Sequence, residues 1–129
     1  MKQVFPGINI QWPISKEILA GNKTVETRTY PLPAKYVGKE LVMIETPGSK
    51  GDFLARGVAL ITFGPSYKYV SKKHFETEVA LHLVNQESKW AWGAKPKWAW
   101  PILNVQLLKV KTIPERRGIV FTRNITVNL

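Results

Sequence analysis

The chain has 129 residues, 44% hydrophobic and 22% charged, proportions that suit one folded core and exclude a disordered or low-complexity chain. It contains no cysteine, which excludes a disulfide framework, a thiolate nucleophile and a thiolate metal site. Nineteen Lys and Arg stand against nine Asp and Glu, a formal charge of +10, and such a field favours polyanions, nucleic acid foremost.

The excess is uneven: from Lys89 onward there are eight basic residues and one acid, Glu115. The opening "MKQVFPGINIQWP" lacks the long apolar run of a signal peptide, and no stretch reaches membrane-spanning length. The expectation is a soluble, cytoplasmic domain over residues 1–129, with no membrane partner, no cofactor and no metal.

In chain order, "QVFPGINI" (3–10) reads as an edge or bent strand interrupted by Pro6 and Gly7. "PISKEILAG" (13–21) reads as a short helix, with Pro13 in its first turn and Gly21 as a left-handed stop. "TVETRTY" (24–30) alternates and is β-branched, as a strand does, and "PLPAKYVGK" (31–39) is a turn-rich connector. "ELVMIET" (40–46) and "ARGVALITF" (55–63) are the clearest strands.

"SKKHFETEVALHLV" (71–84) predicts one long helix, capped by Ser71, with Phe75, Val79 and Leu83 on its apolar face. Ser71, His74, Glu78 and His82 form its polar stripe. Three ligands spaced a turn apart along a straight helix do not converge on one ion, so the stripe reads as a solvated face or as a face that turns Glu78 toward a cleft. "WAWPILNVQLLKVK" (98–111) and "GIVFTRNITV" (118–127) complete the strands. The economical architecture is β-rich α+β: a small, mixed, partly closed β-barrel with two or three helices packed on it.

Two stretches carry chemistry. "KWAWGAKPKWAW" (89–100) places Trp98 and Trp100 in the core, whereas Trp90 and Trp92, beside Lys95 and Lys97, suit core packing or stacking on bases equally. "GNKTVETR" (21–28) packs Lys23, Glu26 and Arg28 into six residues. In a regular strand Glu26 and Arg28 share a face opposite Lys23; irregular backbone after Gly21 instead lets the ammonium swing to Glu26, so that the charges hold one another rigid beneath a pocket.

The spacing Gly21-x-Lys23-x-x-Glu26-x-Arg28 resembles the G-x-K-x-x-E-x-R signature of the ASCH domain family, in the PUA-like superfamily. "INIQWPISKEILAG", "YVGKELVMIET", "LARGVALITF" and "WAWPILNVQLLKVKTIPERRGIVF" are similar to that family's flanking elements, so the resemblance spans most of the chain. It implies a PUA-like pseudo-barrel with a basic cleft for nucleic acid, RNA in preference to DNA, or for a nucleotide. In that cleft Lys23 and Arg28 are cations, Glu26 orients them, and Trp12 with Pro13 forms a wall. Trp90, Trp92, Lys95, Lys97, Arg116 and Arg117 then extend the binding surface.

The resemblance also implies an alternative. Some ASCH-like proteins remove the acetyl group from acetylcytidine with a lysine, a threonine and a glutamate, and others are ribonucleases. Lys23 and Glu78 match the lysine and the glutamate, whereas Glu26 stands where the threonine belongs. The candidate catalytic residues are therefore Lys23, Glu26 and Glu78. A lysine paired to Glu26 is expected to stay protonated, which makes it a poor base.

Overall fold

A computed structural model describes residues 1–129. In chain order the elements are β1 (Lys2–Gln11), α1 (Ile14–Leu19), β2 (Val25–Arg28), a 3-10 turn (Ala34–Tyr36), β3 (Glu40–Thr46) and β4 (Arg56–Phe63). They continue with β5 (Tyr67–Lys68), α2 (Lys72–Thr77), α3 (Val79–His82), β6 (Trp98–Thr112) and β7 (Phe121–Asn128). The fold is β-rich α+β, with strand order β2-β6-β4-β3-β1-β7 and β5 paired to β6.

β3 and β4 are buried on both faces, which is why their apolar runs are nearly continuous. Period-two alternation sorts their side chains. Leu41, Met43, Ala59 and Ile61 join Ile8, Ile10 and Trp100 in the main core. Val42, Ile44 and Leu60 join Ile125 and Val127 on the opposite face. A third cluster, Val25, Tyr69, Phe75, Val84 and Ala99, lies where α2 meets the sheet.

Several expectations change. β1 is bent, with a register shift between Phe5 and Gly7, yet it is internal, parallel to β3 and antiparallel to β7. Gly7 permits this packing, because a Cβ there would collide with Ile125 Cδ1. The sheet is open and not a partly closed barrel: β2 and β7 are its two ends. Thr112 Oγ1 of β6 donates to the Thr126 carbonyl of β7 at 3.3 Å, but the two strands form no ladder.

The long helix is two short ones. Ser71 caps α2 as expected, its Oγ accepting the His74 N–H at 3.1 Å. The chain leaves helical geometry at Glu78 (φ −99°, ψ 15°) and ends α3 at Leu83 in the left-handed region (φ 61°). This break rotates the second turn. Phe75 stays in the core, Val79 and Leu83 emerge, and His82 from the expected polar stripe becomes fully buried.

β6 serves two partners in succession. Trp98–Pro101 pairs with β2, and from Ile102 the strand pairs with β4. β2 is thereby held beside the end of α3, with the Thr24 N–H donating to the Leu81 carbonyl at 2.9 Å.

Candidate functional site

Gly21, at φ 81°, ends the helical turn in a conformation that costs glycine nothing. β2 begins only at Val25, so Lys23 lies on irregular backbone. Its ammonium turns back to stand 3.6 Å from Glu26 Oε1. Lys23 and Glu26 are 5% and 6% exposed.

The charges interlock. Lys23 Nζ also donates to the His82 carbonyl at 2.5 Å. The Thr27 N–H donates to Glu26 Oε1 at 3.1 Å, and Arg28 Nε and NH2 donate to Glu26 Oε2 at 3.3 and 3.0 Å. Arg28 NH2 further donates to the Asn9 carbonyl at 3.0 Å, NH1 reaches the Tyr30 hydroxyl at 3.4 Å, and the guanidinium lies 5.4 Å from the Trp100 ring centroid. Glu26 and Arg28 are thus largely occupied by one another and by the fold. Lys23 keeps donor capacity, since its ammonium has three protons.

Burial pushes the Lys23 ammonium below its ordinary value, and this outweighs the upward pull of Glu26. Desolvation, not the neighbouring acid, is thus the larger influence on this ammonium. Burial also lowers His82, whose ring is fixed from both sides. Nε2 lies 2.7 Å from the Phe75 carbonyl, and the Val84 N–H donates to Nδ1 at 2.9 Å, which sets the neutral Nε2–H form. That ring stacks on Phe75 at 4.2 Å and fixes the segment whose carbonyl holds Lys23.

Lys23, Glu26, Thr27 and Arg28 line a cleft of about 460 Å³, together with Pro13 and Glu17 from the α1 region, His82 to Val84, Trp90 and Ile119. Its formal charge is zero: Lys23 and Arg28 are matched by Glu26 and Glu17. The floor is therefore polar and compensated, and the positive excess lies outside it. Trp90 is 44% exposed at the rim, with Lys89 Nζ 4.8 Å from its ring centroid. Ile119, 98% exposed, belongs to the β6–β7 turn that presents Arg116 and Arg117. Asn9 Nδ2 secures that turn by donating to the Gly118 and Ile119 carbonyls at 2.8 and 3.0 Å.

Other candidates lie elsewhere. Trp12 packs edge-on against Phe53 on the opposite flank of α1, so Pro13 alone of that pair lines the cleft. Trp92 is half-buried against Phe75. Lys95 is exposed, whereas Lys97 is only 8% exposed and is no open phosphate contact. Glu78 is also outside the cleft, because the break at that residue directs its carboxylate to the Tyr67 hydroxyl at 2.5 Å and to His74 Nε2 at 3.3 Å. Burial, reinforced by Glu78, pushes Tyr67 up to about 12.

Glu17, His82 and Ile119 were missed as cleft residues; only their places beside the signature or in the polar stripe hinted at them. Ser15, Glu45 and Arg56 were missed too. They form a second, partly buried polar cluster, with Ser15 Oγ donating to Glu45 Oε2 at 2.6 Å and Arg56 NH2 3.1 Å from Glu45 Oε1. It ties the first turn of α1 to β3.

The sequence matches no protein-family model, and no curated protein is significantly similar to it. Solved structures are similar in fold. ASCH from Zymomonas mobilis superposes with a TM-score of 0.70 at 15% identity, covering 92% of this chain and 85% of that one. Two single-residue variants of the same protein superpose at 0.69 and 0.68, again at 15% identity and over 92% of this chain, covering 88% and 86% of theirs. Over this span the fold of the chain is that of the ASCH structure.

Proposed function

We propose that this chain binds RNA, in preference to DNA, or a nucleotide, with a nucleobase entering the Lys23 cleft and phosphates held outside it. The observation that carries this reading is a nearly buried ammonium, fixed by Glu26 and the His82 carbonyl, on the wall of a compensated cleft with an exposed tryptophan at its mouth. A volume of about 460 Å³ falls within the range of small-ligand sites, about 300–1,000 Å³. A site of zero formal charge suits an uncharged polar ring better than a phosphate. Lys23 then donates to a ring nitrogen or carbonyl, and Trp90 offers a stacking face. Lys89, Lys95, Arg116 and Arg117 meet the backbone.

Titration of short single-stranded RNA and DNA oligomers and of free nucleosides against the wild type and Trp90→Ala tests this. Loss of the stacking face is expected to weaken RNA binding by about 1–3 kcal/mol. Unchanged affinity in Trp90→Ala, or no binding to any of these ligands, overturns the reading.

A second reading, hydrolysis of an amide on a modified nucleoside such as acetylcytidine, draws on the depressed Lys23 and on Thr27, a residue that also lines the cleft. A lysine desolvated in this way is a better base than an exposed one. The remote Glu78 ranks this reading second, because its proposed partner carboxylate is committed to Tyr67 and His74. Incubation with acetylcytidine decides it: acetate release that disappears in Lys23→Ala supports hydrolysis, and no release removes it.

A further inference from the structure

The α1 region has two flanks. Pro13, Ile14 and Glu17 face the cleft, whereas Trp12, Lys16 and Leu19 line a separate cavity of about 310 Å³. Its far side is formed by Arg56 of β4 and by Leu107 and Lys111 of β6. Three cations therefore converge on one hollow from three elements distant in sequence.

The single acid on its wall is already used. Glu45 Oε2 accepts the Ser15 hydroxyl at 2.6 Å, and Oε1 accepts Arg56 Nε and NH2 at 3.2 and 3.1 Å. Neither Lys16 nor Lys111 has a carboxylate within ion-pair distance. The Arg56 guanidinium lies 4.3 Å from the Phe53 ring centroid, and Phe53 meets the Trp12 ring edge-on at 6.2 Å. Guanidinium and indole are thus held in place, and the remaining Arg56 nitrogen, NH1, makes no hydrogen bond within the chain.

The contrast between the flanks is one of charge. The cleft sums to zero, whereas this cavity sums to +2, from Lys16, Arg56 and Lys111 against Glu45. Like charges gathered around a hollow repel unless an anion enters. A fixed planar guanidinium with two mobile ammonium groups matches the oxygens of a phosphate. We infer that this cavity binds a backbone phosphate of the same RNA strand whose base occupies the Lys23 cleft, the strand passing across α1; this rests on the function proposed above. Trp12 and the neighbouring leucines give the sugar an apolar surface.

Two measurements test it. Affinity of the full chain for a short single-stranded RNA is measured across salt concentrations for the wild type and for the double variant Lys16→Gln, Lys111→Gln. Each lysine lost from a phosphate contact lowers the log–log salt slope by about 0.7 for a single strand, so the slope is expected to fall by about 1.4 from the two together. The Trp12 indole N–H resonance is followed as inorganic phosphate or the RNA is added, and both are expected to shift it. An unchanged slope, or a Trp12 signal that neither addition moves, overturns the inference. A shift with inorganic phosphate but not with RNA assigns the cavity to free phosphate compounds and overturns its place on the strand's path. If Trp90→Ala leaves binding unchanged while the lysine variant lowers the slope, the cleft reading fails and this phosphate site stands.

Discussion

Glu26 is the residue on which the junction turns. It accepts from Arg28 and forms an ion pair with Lys23, both largely shielded from water, so its removal leaves two cations without their shared partner. Breaking a buried pair by deleting one partner costs about 3–5 kcal/mol. Glu26→Gln is therefore expected to lower the urea midpoint strongly. Lys23→Ala should lower it less, since Glu26 keeps Arg28. Equal midpoints for the two variants contradict the interlocked arrangement.

His82 gives the same region a pH dependence. Burial holds its imidazole below the ordinary value, so the unfolded chain takes up a proton before the folded chain does. This contribution to stability is complete above the unfolded value, about 6.5, and is lost as the pH falls below it. Melting temperatures measured from pH 7.5 to 5 should fall over that window in the wild type, and the fall should flatten in His82→Gln. The proximity of Lys23, Glu26 and Arg28 was legible from their spacing and from Gly21. The direction of the Lys23 shift was not, because its burial depends on a carbonyl 59 residues away.

At the scale of elements, the order of α1, β2, β3 and β4 followed from local signals: Pro13, Gly21, alternation in "TVETR" and two long apolar runs. What local pattern did not carry was decided by packing. Residues 71–84 keep a helical periodicity, yet burying His82 against Phe75 required a break at Glu78 and a left-handed Leu83. That break moved Glu78 away from the cleft. β5, only two residues long, is too short to leave a periodic signal, and Trp12 precedes α1, so helical periodicity does not fix which flank it takes. Two glycines test the packing. Gly21→Ala places a side chain at φ 81° in open space, so it should cost about 1–2 kcal/mol from backbone strain alone. It should also weaken RNA binding by misdirecting Lys23. Gly7→Ala meets Ile125 and Ile44, and overpacking of this kind costs about 1–3 kcal/mol, with no effect expected on binding. Thermal melts and RNA titrations of the two variants separate these outcomes.

Across the whole molecule, the basic composition raised the expectation of a polyanion partner but did not say where the charges would gather. Part of the net +10 lies at the rim of the cleft, on the β6–β7 turn and on the far flank of α1, whereas the pocket itself is neutral. This division assigns different roles to different cations. Replacing Arg116 and Arg117 with Gln should weaken binding of every sequence alike and flatten the salt dependence, as loss of phosphate contacts does. Lys23 should behave otherwise if, as proposed, it meets a base in a compensated pocket. The most direct test is affinity for a short single-stranded RNA, measured for the wild type and Lys23→Ala at two salt concentrations. The account predicts roughly tenfold weaker binding by Lys23→Ala at both, the loss of about one hydrogen bond from a charged donor, with an unchanged salt slope. Wild-type affinity in Lys23→Ala, or a loss confined to low salt, contradicts it.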